Sequence, residues 1–264
     1  MGIELADELR RLEDEGSTGM LHAGDGVFHL AGGAIASAEC RRTTGLDRLA
    51  VEAGVASADD WQRAAGGDPA TVLGRPLLET LALLSVFDAA YFLLSAPVVP
   101  EFRPAPPHWL APVCHIRPRT LVRECARRGD PESGPWPAQL VDRAAVVPVR
   151  RVRRNRIVLT GSQAEVLAAA DTRRSVTGIA RDLGRTAYGC LEAVRDLTAA
   201  GLIEPPAQPR SPDDRRPAGA LRHAAEPGLR RRVRQPVPVP EDGDWEPVDQ
   251  DLLLRLRSAL EELA

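Results

Sequence analysis

The sequence predicts an α+β protein in which a small N-terminal α+β domain precedes a second, helical domain and a tail. Three observations support this class. Residues 17–40 alternate apolar and turn residues at the two-residue period of strands. Residues 157–203 instead show apolar positions spaced three and four apart, as in amphipathic helices. Between them lies a stretch rich in Pro, Gly and Arg, which is typical of a connection between folded parts.

The N-terminal region begins with an amphipathic helix over residues 3–12. Residues 17–40 then predict a run of short strands joined at the turn sequences GDG and AGG. Two helices around residues 54–57 follow, then a long apolar helix over residues 77–94 and a closing helix over residues 120–128. Together these elements predict one small α+β domain.

The strand pattern S-x-G-x-L followed by G-x-F-x-L-x-G-G-x-I-x-x-A resembles the PatA N-terminal type of domain found in bacterial response regulators. The matching residues are Ser17, Gly19, Leu21, Gly26, Phe28, Leu30, Gly32, Gly33, Ile35 and Ala38. The resemblance implies a regulatory or interaction domain that binds a protein partner and has no catalytic residues.

The second region carries helix signals in order after a short strand at its start. Ser162 and Glu165 predict a capping box, in which each side chain accepts a backbone N–H at the start of a first helix. Ser175 is placed to cap a second helix, Gly184 to end it, and Thr186 to cap a third. The pattern therefore predicts three helices, of which the last two are joined by a short turn.

The third helix ends at Gly201 and the strand pattern LIEP follows it, which is the element order of a winged helix-turn-helix. The sequence SVTGIARDLGRTAYGCLEAVRDLTAAGLIE resembles the winged-helix domains of bacterial transcriptional regulators. The resemblance implies a homodimeric regulator of transcription that binds double-stranded DNA.

In a winged helix, the first turns of the third helix enter the major groove, and flanking cations hold phosphates. Glu192 and Asp196 on the third helix would disfavour phosphates. An alternative therefore stays open, in which the protein is a signalling adaptor that uses both domains to bind other proteins. The predicted DNA-contacting residues are Arg154, Arg156, Arg185, Thr186, Tyr188, Gly189, Arg195, Arg230, Arg231 and Arg232.

Charge divides the chain into three parts, although the net charge is only −3. Residues 1–148 hold 20 acidic and 14 basic residues, and residues 236–264 hold 8 acidic and 2 basic residues. Residues 149–235 hold 9 acidic and 18 basic residues. A basic region between acidic ones is typical of a nucleic-acid-binding module joined to other parts, although an Arg-rich solvated linker would also give it.

These observations predict four parts. They are the regulatory domain (1–128), a Pro/Arg-rich linker (129–155), the winged helix-turn-helix domain (156–237) with a disordered wing insertion (205–228), and an acidic tail with a C-terminal helix (238–264).

The sequence shows no signature of an enzyme, a cofactor or a metal site. All 34 basic residues are Arg, so a Walker A motif is excluded, and GxGxxG, HExxH and GxSxG are absent. The spacing of the 4 Cys and 5 His residues matches no standard zinc pattern. With no signal-peptide pattern and no apolar run of about 20 residues, we expect a cytoplasmic protein without a membrane partner. The Arg-, Ala-, Gly- and Pro-rich composition is typical of an actinobacterial protein.

Overall fold

The computed structural model describes residues 3–150 and 157–206, which lie in a compact unit spanning Met1–Arg210. The strands in these residues are β1 (Gly19–Ala23), β2 (Gly26–Ala31), β3 (Ala34–Cys40) and β4 (Glu101–Pro104). The helices are α1 (Ile3–Asp14), α2 (Leu46–Glu52), α3 (Ala58–Ala65), α4 (Ala70–Leu73), α5 (Leu78–Leu93), α6 (Pro118–Arg127), α7 (Gly161–Ala169), α8 (Val176–Asp182) and α9 (Ala187–Ala199), with a 3₁₀ turn at Ala138–Leu140. The predicted α+β class is confirmed. None of these described helices is both long and apolar enough to cross a membrane.

The sheet is antiparallel with the order β3-β2-β1-β4. Its hairpin turns fall at the predicted glycines, since Gly24, Gly32 and Gly33 all have positive φ, which residues with a Cβ rarely adopt. Alternate residues point into the core, so Leu21 and Phe28 face each other across β1 and β2 and are fully buried. The predicted N-terminal strands are therefore confirmed, and β4, which ends in Pro104, lies at the edge of the sheet, where a proline is tolerated.

The long helix α5 forms the centre of the unit. It contacts β3, α2, α6 and α9, and its bounds agree with the apolar helix predicted over residues 77–94. Half of its side chains are apolar and buried, and Asp88 lies among them with only 1% of its surface exposed. A buried carboxylate costs free energy unless it is hydrogen-bonded, so the partners of Asp88 are central to the site described below.

Helices α8 and α9 begin at the predicted residues. The side chain of Ser175 accepts the backbone N–H of Gly178, and that of Thr186 accepts the backbone N–H of Gly189. Gly184 adopts the positive φ of a helix end, as predicted. The local signals for these two helices are thus confirmed.

The capping box of α7 lies two residues earlier than predicted, so the assignment to Ser162 and Glu165 is wrong. Thr160 accepts the N–H of Gln163 at 3.3 Å, and the Gln163 side chain accepts the N–H of Thr160 at 2.9 Å. Both pairs match the same four-residue pattern, so local spacing does not choose between them. Glu165 instead forms an ion pair with Arg185.

The strands expected around the three helices are mostly absent from the described residues. Residues 157–160 have no regular structure, and the pairing near the end of α9 consists of an isolated antiparallel bridge between Pro148 and Ile203. Apart from its first two residues, the predicted wing insertion lies outside the described residues, as do the returning strand and the C-terminal helix. The winged arrangement therefore stays a prediction.

Residues 129–150, predicted as part of a linker, are packed against the helices. Trp136 is fully buried, and its indole N–H donates to the hydroxyl of Thr198 on α9 at 2.9 Å. Val141 and Val146 are also fully buried. This segment thus belongs to the core, while the division of the unit into two domains stays a prediction.

Candidate functional site

The start of α9, which the sequence predicts to meet DNA, is held by a carboxylate from α5. Asp88 accepts the backbone N–H of Ala187 at 2.8 Å and that of Tyr188 at 2.7 Å. Thr186 Oγ1 accepts the N–H of Gly189 at 3.2 Å. The first amides of a helix have no partner within the helix, and here three of them are satisfied by other groups of the chain.

Burial controls the charge of this carboxylate. It raises the pKa of Asp88 to about 6, because the charged form loses its water, although the N–H groups of Tyr188 and Ala187 and the charge of Arg128 act in the opposite direction. At neutral pH Asp88 is therefore ionised and faces the positive end of the α9 dipole. A helix start of this kind can bind a phosphate, but here a carboxylate of the chain occupies that place.

Tyr188, a predicted DNA-contacting residue, packs against the N-terminal region. Its ring lies 4.7 Å from the ring of Tyr91 in an edge-to-face arrangement. The guanidinium carbon of Arg128 lies 4.6 Å from the centre of the Tyr188 ring and 5.5 Å from that of Phe87. In this arrangement, the ring of Tyr188 is engaged by α5 and by the residue that follows α6.

Arg195, a second predicted contact, is also engaged within the chain. Its Nη1 donates to Glu192 at 3.0 Å and to the Tyr91 hydroxyl at 3.3 Å. Its Nη2 donates to the carbonyl oxygens of Pro131 and Trp136, each at 3.0 Å. The guanidinium is thus bound to residues 129–150, called the packed segment below, and to α5. It would have to break these bonds to reach a base.

The remaining predicted residues around the start of α9 have other positions. Arg185 is exposed and forms an ion pair with Glu165 at 3.1 Å, and its carbonyl accepts the hydroxyl of Thr44 at 2.7 Å. A Cβ added to Gly189 would lie 2.9 Å from Thr186 Oγ1. The small residue at 189 therefore fits closely against the cap of its own helix.

The described part of the predicted DNA-binding region is not cationic. Residues 157–206 contain five Arg and six acidic residues. The basic excess of the region comes from the segments on either side of it. The predicted residues Arg154, Arg156, Arg230, Arg231 and Arg232 lie outside the described residues.

Helix α8 contacts the N-terminal region through backbone carbonyls. Arg181 donates to the carbonyl oxygens of Arg41 at 2.5 Å and Thr43 at 3.3 Å. The hydroxyl of Thr177 donates to the carbonyl of Arg42 at 2.8 Å. Both α8 and α9 are thus bound to residues that lie more than 90 positions earlier in the chain.

Asp88 was not among the residues singled out from the sequence, although a signal for it exists. It interrupts the apolar run SVFDAAYF, and a carboxylate on an otherwise apolar helix needs a hydrogen-bonding partner. This signal indicates that a partner exists, but the sequence does not indicate which part of the chain supplies it.

No protein-family model, curated protein or solved structure matches the chain. The resemblances to winged-helix regulators and to the PatA N-terminal type therefore remain expectations from the sequence. The functional argument rests on the geometry of the described residues.

Proposed function

We propose that the protein is a signalling adaptor, which binds other proteins and does not use α9 to read DNA bases. The observation that carries this proposal is the buried carboxylate of Asp88 at the start of α9, bonded to the amides of Ala187 and Tyr188. A helix that reads the major groove needs its first turns exposed. Here those turns serve as an attachment between two regions of one compact unit.

The cost of opening this attachment supports the same proposal. Leaving a buried polar group without its partner costs about 1–3 kcal/mol. Exposing the start of α9 would separate Asp88 from two amides and Tyr188 from Tyr91, and it would break the bonds between Arg195 and the packed segment. Contacts to DNA bases would first have to offset these losses.

The beginning of α5 offers a surface for a protein partner. Leu77, the residue that precedes α5, is 63% exposed, and Leu84 within α5 is 47% exposed. Leu77 has a φ of 68°, a left-handed conformation that is uncommon for a residue other than glycine. A residue in a sparsely populated backbone conformation can mark a functional surface, and the two exposed leucines supply apolar area to it. We assign this surface to a partner that presents apolar side chains.

The experiment is cross-linking of the tagged full chain in its host, with identification of the captured proteins. The double replacement Leu77→Glu and Leu84→Glu should remove the captured partner. Val99→Glu is the matched control, because Val99 is 84% exposed and lies outside α5. Capture that is equal in both variants would contradict the assignment of this surface.

Duplex DNA remains the second candidate partner, because residues 149–235 hold twice as many basic as acidic residues. Binding through the flanking arginines alone would contact phosphates, so it would be strongly salt-dependent and nearly independent of sequence. A titration of the full chain with duplex DNA at several salt concentrations measures this salt dependence. Light scattering of the free protein measures whether it forms a homodimer. Sequence-specific binding that is lost in Tyr188→Ala would overturn the adaptor proposal and favour the transcriptional regulator.

A further inference from the structure

Three side chains that commonly bind metals meet on one face of the sheet. His29 on β2, Glu39 on β3 and His108 in the segment after β4 each offer one ligand atom, and these atoms all lie within 4.8 Å of one another. They are 10 and 69 positions apart in the chain, so their meeting is a consequence of the fold.

The strand register places the first two of these residues together. His29 pairs with Ser37 and Val27 pairs with Glu39, so the side chains of His29 and Glu39 lie on the same face of neighbouring strands. Phe28, between the paired positions on β2, points to the buried opposite face. The polar pair is therefore kept out of the main core.

The third residue is brought in by the chain that follows β4. The ring centre of His108 lies 4.6 Å from that of His29 and 5.7 Å from that of Trp109. Trp109 in turn packs edge-to-face against Trp61 on α3, with ring centres 5.1 Å apart. The two tryptophans thus hold His108 against the sheet.

We propose that His29, Glu39 and His108 form a binding site for a divalent transition-metal ion, with zinc as the best match. Imidazole nitrogens favour transition metals over calcium or magnesium. Two His and one Glu are a ligand set that zinc uses when its fourth position is left open.

A cavity lies beside the proposed metal site. Glu39 and His108 line a cavity of about 760 Å³, together with His22, Trp61 and Trp109. Two of the three clustered side chains therefore border space that water or a small molecule can enter. This inference does not depend on the adaptor proposal, because the cluster lies on the sheet and not at α9.

Metal binding requires a limited local change. The ligand atoms around a tetrahedral zinc ion lie roughly 3.3 Å apart, given bonds of about 2.0–2.1 Å, so the cluster must close slightly. Glu39 is exposed and can rotate toward the two rings. His108 Nδ1 accepts the N–H of Leu110 at 3.2 Å. Ligation through Nε2 places the ring proton on Nδ1, so this hydrogen bond is lost.

The test is a calorimetric titration of the chelator-treated full chain with zinc chloride. We expect one saturable site per chain. Glu39→Gln and His108→Gln should each weaken the zinc affinity by at least about tenfold. Removing even a residue that only hydrogen-bonds to a metal ligand typically weakens metal affinity by about that factor. His22→Gln is the matched control, because His22 lines the same cavity but is not one of the three clustered residues, and it should bind zinc as the wild type does.

Cobalt(II) supplies a second readout that separates ligation from a loss of folding. With nitrogen and oxygen ligands in a four-coordinate site, it should give visible absorption bands that vanish in Glu39→Gln while the circular dichroism is unchanged. The proposal is overturned if the wild type shows no one-to-one site. It is also overturned if His22→Gln weakens zinc binding as much as Glu39→Gln does.

Discussion

Helices α8 and α9 begin with the same local structure but are held in different ways by the rest of the chain. Ser175 caps α8 and Thr186 caps α9, each through a side-chain oxygen that accepts a backbone N–H three residues later. The next contact at α8 is neutral, since the N–H of Thr177 donates to the carbonyl of Val141 at 2.9 Å. At α9 the corresponding contact is charged, because the carboxylate of Asp88 accepts two N–H groups.

The difference shows that a capping motif does not determine whether the start of a helix is free to bind a ligand. Both caps satisfy amides that the helix itself cannot satisfy, but only α9 has a negative charge buried at its positive end. A phosphate approaching α9 would meet a carboxylate, whereas at α8 no acidic group among the described residues makes a hydrogen bond to the starting amides. The helix that resembles a DNA-reading element by sequence is thus the one whose start is occupied.

The largest expected effect is at residues 129–150, which contact α9 beyond its first turn. Trp136→Ala should lower the free energy of unfolding by about 3–5 kcal/mol, because it removes a fully buried aromatic side chain and the bond to Thr198. Denaturant unfolding of the full chain measures it. Trp109→Ala, at a partly buried tryptophan, is the control and should cost less. Equal losses would contradict the view that residues 129–150 anchor α9.

The pH dependence of stability tests the charge at the start of α9. The folded protein holds the proton of Asp88 with a pKa of about 6, above the ordinary value of 3.8. The contribution of Asp88 to stability is therefore full below about pH 4 and is lost as the pH rises through 6, on the order of 2–3 kcal/mol. Asp88→Asn should remove this decline. The free energy of unfolding of the wild type and of Asp88→Asn is measured at several pH values from 4 to 7. A constant difference between the two proteins would show that the carboxylate does not titrate in this range.

Removal of the carboxylate should loosen α9 without affecting α8. Asp88→Ala leaves the amides of Ala187 and Tyr188 without an acceptor, so we expect a loss of about 1–3 kcal/mol at neutral pH. Asp88→Asn keeps one acceptor oxygen and should lose less. Hydrogen exchange should show faster exchange at Ala187 and Tyr188 but unchanged exchange at Thr177. A uniform increase in exchange would mean that the two helices open together.

The smallest effect sharpens the comparison between the two caps. Ser175→Ala and Thr186→Ala should each cost about 1 kcal/mol. Combined with Asp88→Ala, the change at Thr186 should be non-additive, because both residues satisfy the same helix start, whereas the change at Ser175 should be additive. Double-mutant cycles of unfolding free energies measure this. Coupling of Ser175 to Asp88 as strong as that of Thr186 would remove the distinction between the helices.

Much of the fold follows from local patterns in the sequence. The strands were predicted from alternation and from the turn glycines, and the starts of α8 and α9 from Ser175 and Thr186. The predicted start of α7 lies two residues too late, because two overlapping patterns satisfy the same local rule. The composition of residues 129–150, rich in proline, glycine and arginine, predicts a linker, whereas the buried Trp136 shows that this segment is packed.

The sequence by itself determined the class of the fold, the first three strands, most of the helices and the caps of α8 and α9, because these depend on hydrogen bonds and apolar spacing within a few residues. Only the tertiary structure decided that Asp88 lies at the start of α9, 99 positions along the chain. It likewise decided that His29, Glu39 and His108 meet on the sheet. The physical reason is that the chemistry of a side chain shows whether it needs a hydrogen-bonding partner when it is buried. Which residue becomes that partner depends on how the whole core packs.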